Sequence, residues 1–171
     1  MLYIEVMNEP NTSDRAQTFS YAQFREVAGL TKKEADGWTK SGVIRAELMP
    51  NGKRRYRFDS IVEGLIARQL ADFSSRLLLP KMMEGLRGFL KSEKIDLFKL
   101  DPNPAAGKLL IQLYTRLSKE VMAGGGVRGV ITYVSRFDPN SKSISKTVFL
   151  MVDLSGIILA AHDGIARLKS E

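Results

Sequence analysis

Asn51-Gly52-Lys53-Arg54-Arg55-Tyr56-Arg57 sets a turn dipeptide directly before four cations arranged around one aromatic ring. Asn-Gly tolerates the backbone of a tight reversal, so the run predicts a hairpin whose returning strand is Arg54-Arg55-Tyr56-Arg57. Between Lys40 and Arg57 stand six Lys or Arg (Lys40, Arg45, Lys53, Arg54, Arg55, Arg57) against the single acid Glu47. The whole chain of 171 residues carries a formal charge of only +7. The excess is therefore concentrated here, which points to a footprint on a polyanion more than to general solubility.

Upstream of this run, Met49-Pro50-Asn51-Gly52 predicts the turn and Val43-Ile44-Arg45 the outgoing strand. Further upstream, Ser20 and Gln23 form a capping box and Phe19 and Phe24 a hydrophobic staple, predicting a helix from Tyr21 to about Ala28 that Gly29 ends. Thr31-Lys32-Lys33-Glu34 is a second capping box. It opens a helix through Trp38 to about Ser41, with Gly42 as the stop. Two short helices joined by a Gly-containing turn and followed by a hairpin are the winged helix-turn-helix pattern.

Downstream, Asp59 or Ser60, the latter with Glu63 as another capping box, starts a helix with Ile61, Leu65, Ile66, Leu70 and Phe73 at helical spacing. Pro80 marks the first turn of the next helix, which carries Leu79, Met82, Met83, Leu86, Phe89 and Leu90 on one face. That stripe is wider than a small winged unit needs, so part of it is expected to face a second protomer. Asp101-Pro102-Asn103-Pro104 reads as a boundary. Beyond it, strands are predicted over 109–114, 129–135 and 147–152, and Asp153 caps a terminal helix carrying Ile157, Ile158, Ala161, Ile165 and Leu168.

The expected architecture is α+β. Residues 1–17 form a flexible arm or short strand, and 18–95 a winged-helix unit with its connecting helix. Residues 105–171 form a small strand-rich regulatory or dimerisation domain ending in a helix.

Composition narrows the classes of function. With 44% hydrophobic and 26% charged residues the chain is an ordinary globular sequence, and with no cysteine it lacks thiolate metal sites, disulfides and Cys nucleophiles. No apolar run approaches the length of a bilayer span, and the first residues lack the pattern of a signal peptide, so no membrane role and a cytoplasmic, nucleoid-associated location are expected. Gly124-Gly125-Gly126-Val127-Arg128-Gly129 satisfies G-x-G-x-x-G but precedes a strand instead of following one, so it predicts a connection and not a dinucleotide site. Gly107-Lys108 is followed by Leu109 where a phosphate loop needs Ser or Thr. His162, the single histidine, has no sequence partners for a triad or a metal site and reads as a plain surface or helix-edge residue. The chain is thus expected to be no enzyme and to use no cofactor or metal.

Residues 21–73 resemble the MerR-type winged-helix DNA-binding domain. The family has an Asn-Gly-Tyr-Arg-Arg-Tyr-like wing, matched here by Asn51-Gly52-Lys53-Arg54-Arg55-Tyr56, and Gly42-Val43-Ile44 stands where the family has Gly-Leu-Leu. The sequence departs from the family in the reading helix, where Asp36, Gly37 and Trp38 replace an Arg followed by Tyr, and it lacks an evident long dimerisation helix. The family's phosphate contact at Asp36 is therefore not carried over, because a carboxylate repels phosphate.

The expected function is sequence-specific binding of double-stranded DNA in transcriptional regulation, by a homodimer as the resemblance implies. A small-molecule or protein effector would act at the C-terminal domain. In the wing, Lys53, Arg54, Arg55 and Arg57 would meet phosphates or a minor groove, and Tyr56 would pack beneath and set the wing's angle. In the helices, Tyr21, Thr31, Lys32, Lys33, Trp38, Thr39 and Lys40, with Arg45 beyond them, are the groove and phosphate candidates. Asp36 requires a neutralising neighbour such as Lys32, Lys33 or Lys40. Two rival readings are an excisionase-like factor that bends the DNA of a mobile element, and a protein-interaction or ligand-sensing module whose basic hairpin meets no DNA.

Overall fold

Local capping decides the first two helices. In the computed structural model, which describes residues 17–72, 74, 78–100, 110–117, 130–136 and 150–170, α1 spans Tyr21–Ala28 and α2 spans Lys32–Lys40. The Ser20 hydroxyl accepts from the Gln23 amide at 3.3 Å while the Ser20 amide donates to Gln23 Oε1 at 2.9 Å. Thr31 and Glu34 repeat the device for α2, at 3.3 and 2.8 Å. Each box satisfies two amides that the first turn of a helix leaves without carbonyl partners.

The hairpin after α2 is short and begins later than expected. Its strands are β1, Glu47–Leu48, and β2, Arg54–Arg55, paired antiparallel with Leu48 opposite Arg54. Val43 and Ile44 form no strand. Both are buried, and the Ile44 amide donates to the Trp38 carbonyl at 3.2 Å, so these β-branched residues cap the end of α2 with apolar bulk. The reversal is a turn from Met49 to Gly52 closed at 2.8 Å, and Gly52 has φ 78°, a conformation that costs glycine nothing. Tyr56 extends the ladder by pairing with Phe19, whose amide donates to the Tyr56 carbonyl at 2.7 Å.

Helix α3, Phe58–Ala71, is the central pillar. Phe58, Ile61, Val62, Ile66, Ala67 and Leu70 are all buried, a distribution around the cylinder that only a helix covered on several sides shows. The expected capping box of Ser60 and Glu63 does not form. The N-cap is Arg57, three residues before Ser60, Ser60 Oγ accepts from the Arg57 amide at 3.2 Å, and Glu63 is buried within α3. Helix α4, Leu78–Ser92, buries Leu79, Met82, Met83, Leu86 and Leu90. These five residues of the stripe are covered within the chain itself, because α4 packs on α3 and on strands of the C-terminal sheet, while Phe89 stays half-buried. A short 3-10 turn, Leu97–Lys99, follows.

The sheet has the order β4-β3-β5, with β3 at Leu110–Leu117, β4 at Val130–Arg136 and β5 at Leu150–Asp153, all antiparallel. Asp153 then accepts from the Gly156 amide at 2.9 Å and starts α5, Leu154–Ser170. The strands and the Asp153 cap fall where the β-branched runs and the cap pattern predict them.

Helix α5 returns to the N-terminal half and packs on α1 and α3. Gly164 makes that approach possible, since a Cβ there would stand 2.6 Å from Val27 Cγ1. His162 is half-buried, its ring 4.7 Å from that of Phe58 and 6.2 Å from that of Phe98. It is a packed core-edge residue and not a simple surface one. Buried apolar side chains from Phe19 to Ile165 form one cluster, so the terminal segment shares its core with the N-terminal helices. The arm at 1–16, the boundary at 101–104 and the glycine-rich run at 124–129 lie outside the described residues. The described chain is mixed helix and antiparallel sheet, with helix predominating.

Candidate nucleic-acid interface

The hairpin is held from below and open above. Tyr56 is 0% exposed and its ring stacks on Phe24 at 4.1 Å with an interplanar angle of 5°. Burial of such a ring contributes about 1.5–3 kcal/mol. The stack adds about 1 kcal/mol. Tyr56 therefore sets the hairpin on α1, as the sequence predicts, and is not itself available as a contact. Lys53, Arg54 and Arg55 are all exposed. Among the described residues no carboxylate pairs with any of the three, and Arg55 makes only a long 3.5 Å bond to Thr18 Oγ1. Arg57 differs, because Glu47 Oε1 holds its guanidinium at 2.6 Å across the hairpin.

Helix α2 buries Ala35 and turns the Thr39 hydroxyl inward, so its outer face is left to Lys32, Lys33, Asp36, Gly37 and Lys40. Asp36 has a partner that charge spacing did not suggest. The Tyr21 hydroxyl donates to Asp36 Oδ1 at 2.8 Å and lies 3.3 Å from the Lys32 carbonyl, bolting α1 to α2. Burial, reinforced by the Asp36 carboxylate, pushes the Tyr21 hydroxyl up to about 12. Tyr21 and Asp36 thus neutralise one another's polar demand. Lys32 and Lys40 sit one turn to either side on the same face.

Three of the expected contacts are committed elsewhere. Thr31 Oγ1 donates to Glu34 Oε2 at 2.6 Å, and its hydroxyl and amide hold the Glu34 carboxyl below its usual range. Trp38 is half-buried against the core and borders a separate 580 Å³ groove with Val43, Ala71 and Leu79. Thr39 faces inward. The hydroxyls of Thr31 and Thr39 are thus turned to the protein itself.

At the root of the hairpin lies a cluster that local patterns could not reveal. Glu63, 3% exposed, accepts from the Arg45 amide at 2.8 Å and from Arg45 Nε at 2.7 Å. It also accepts from Arg87 Nε at 2.8 Å. The same Arg87 guanidinium donates to the carbonyls of Gly42 and Val43 at 2.9 and 2.6 Å. One arginine from α4 thereby fixes the segment that leads into the hairpin. Arg45 keeps 58% of its side chain exposed, anchored through Nε. The only cue in the sequence was an acid at a core-facing helical position, which demands a cation from somewhere.

An open cleft of 590 Å³ separates the helical pair from the hairpin. Ser20, Tyr21 and Asp36 form one wall, and Leu48, Lys53, Arg54 and Arg55 the other. Its cationic wall is suited to a string of phosphates, with α2's lysines beyond the opposite rim. No protein-family model matches this chain, and no curated protein matches it. Among the described residues no helix is long and apolar enough to cross a membrane.

Proposed function

We propose that this chain binds double-stranded DNA through a winged helix-turn-helix formed by α1, α2 and the β1–β2 hairpin, and that it regulates transcription as a homodimer. The observation that carries this reading is the unpaired tip, Lys53-Arg54-Arg55, standing exposed across a cleft from the α1–α2 pair. Exposed guanidinium groups without carboxylate partners release counterions when they meet phosphate, and that release supplies most of the affinity. Helix α2 would enter the major groove with Lys32, Lys33 and Lys40 on its outer face, while the hairpin lies along the adjoining backbone. Tyr21 acts by fixing the angle of α2, and Tyr56 by fixing that of the hairpin. Two such faces in a dimer would read half-sites about one helical turn apart.

The test is binding to a 30-base-pair mixed-sequence duplex at several salt concentrations, followed by footprinting on genomic DNA. With six unpaired cations on the face, the expected log–log salt slope is about −3 to −5. A slope near zero, or binding without any preferred genomic site, defeats the reading as a specific DNA-binding protein. Occupancy confined to the attachment region of a mobile element would replace the regulatory role with an architectural one.

A further inference from the structure

A second cleft, of 490 Å³, lies at the root of the hairpin between α3 and α4. Buried side chains of Ile66, Met83 and Leu86 form part of its wall, and both signs of charge line the rest. Its carboxylates are all engaged. Glu63 is shared by Arg45 and Arg87, Asp96 accepts from the Phe98 amide at 3.2 Å, and Asp59 is not free either. The cations are spent unevenly. Arg87 gives its nitrogens to Glu63, Gly42 and Val43. The Arg45 guanidinium meets Glu63 through Nε, so its two terminal nitrogens donate to no described residue and 58% of the side chain stays exposed. Lys91 stands one turn beyond Arg87 on the same stripe of α4, and Lys94 follows at the helix end. Both lysines are exposed, and neither pairs with a carboxylate among the described residues.

Lys94 also holds an unfavourable backbone conformation. Its φ is 54°, in the left-handed region that no other non-glycine residue enters among the described residues. The amides of Lys94 and Ile95 turn back to the carbonyls of Lys91 and Leu90 at 3.2 and 2.9 Å. After α1 the same closure is made by Gly29, at φ 63°, and Leu30. Glycine is favoured at that position, so a lysine there costs stability without gaining an ion pair. The helix dipole accounts for a cation in this turn, but not for one in this conformation.

We propose that Arg45, Lys91 and Lys94 form a binding site for a phosphate group, separate from the tip of the hairpin. Three unspent cations around one cleft carry more charge than a carboxylate monoanion neutralises, and they match a phosphate dianion or a longer phosphate chain whose oxygens accept from each of them. Arg45 is held ready for this task, because the buried Glu63 fixes its Nε and leaves the terminal edge of the guanidinium to the ligand. The last carbonyls of α4, which would repel an anion, are closed by the amides of Lys94 and Ile95. The phosphate comes either from a free phosphorylated compound or from a nucleic-acid backbone, and the chemistry of capture is the same. The site does not rest on the DNA-binding reading of the tip.

The experiment is a calorimetric titration of the full chain with inorganic pyrophosphate at low salt, with acetate as the monoanion control. Pyrophosphate should bind, and acetate should bind at least about tenfold more weakly. Lys91→Ala with Lys94→Gly should weaken pyrophosphate binding about tenfold or more, whereas Arg54→Ala with Arg55→Ala should leave it unchanged. Lys94→Gly alone should raise the melting temperature by about 2–4 °C, because glycine relieves the left-handed conformation, and this rise also shows that the variant folds. A fall instead would make Lys94 a residue of the fold and remove it from the site. A salt titration with the 30-base-pair duplex separates the two sources of phosphate. Loss of pyrophosphate binding in the lysine variant with an unaltered duplex slope assigns the site to a free phosphorylated compound, and a slope reduced by about 2 assigns it to the nucleic-acid backbone. If pyrophosphate binds wild type and lysine variant alike, or binds neither, and the slope is also unaltered, the site is overturned while the reading of the tip stands. Acetate binding as tight as that of pyrophosphate overturns the choice of phosphate. If the wild type binds no duplex, the DNA-binding reading falls and pyrophosphate alone decides the site.

Discussion

The tip and the root of the hairpin contain the same residue types put to opposite uses. At the tip, Lys53, Arg54 and Arg55 have no carboxylate partner among the described residues, and they face a cleft. At the root, Arg45, Arg57 and Arg87 are each held by a glutamate at 2.6–2.8 Å. A count of positive charge treats the two groups alike. What separates them is the carboxylates within reach: the buried Glu63 would cost several kcal/mol without cations and so draws in Arg45 and Arg87, and Glu47 holds Arg57 at the surface, whereas the tip residues stand in water with no acid paired to them. The difference assigns the root to geometry and, in the proposed reading, the tip to affinity.

The largest effect should come from the root. Replacing Arg87 by Met strips the buried Glu63 carboxylate of one cation and leaves the Gly42 and Val43 carbonyls without their donors. Urea unfolding should show a loss of about 3 kcal/mol. A loss below about 1 kcal/mol would mean that the hairpin is not anchored through α4.

At the tip the outcome should invert. Arg54→Ala with Arg55→Ala should leave stability within about 0.5 kcal/mol of wild type. It should also lower the magnitude of the salt slope by about 1 to 2 units in a binding titration. Equal slopes for variant and wild type would remove the tip from the interface.

The smallest effect concerns the bolt between α1 and α2. Folding raises the Tyr21 hydroxyl from its ordinary 10.0 to about 12. Its stabilising contribution is therefore fully present below pH 10 and is lost as pH rises toward 12. Ultraviolet titration should show one tyrosine ionising last, absent in Tyr21→Phe and shifted down in Asp36→Asn. Tyr21→Phe should cost about 1 kcal/mol at neutral pH. A wild-type titration in which no tyrosine lags would show that the Tyr21–Asp36 bond does not hold in solution.

Which features the sequence disclosed follows from the range of the interactions that create them. The boxes at Ser20–Gln23 and Thr31–Glu34, the Asn51-Gly52 reversal and the cap at Asp153 are all made by residues within three positions of one another, and all are present as expected. Ser60 and Glu63 have the same spacing but a different fate. Glu63 is captured by Arg45, 18 residues away, and by Arg87, 24 residues away, and no local pattern records either. Val43 and Ile44 have strand-forming side chains, yet burial against the helices decides their conformation. The stripe on α4 revealed that a covering surface was needed without revealing that the chain's own sheet covers much of it. For the candidate site, charge located the tip, but only packing could show that Tyr56, Trp38 and Thr39 turn toward the interior.

The close seat of Gly164 against Val27 sets an order of events during synthesis. Helices α1 and α3 leave the ribosome long before α5 exists, so Val27 and Phe58 wait in water, or under a chaperone, until the last helix arrives to cover them. A nascent chain stalled before residue 154 would display that sticky surface together with its cationic hairpin, a combination that invites indiscriminate adsorption to nucleic acid. The helical pair that carries the cationic hairpin thus acquires its full support only once α5 has docked on it.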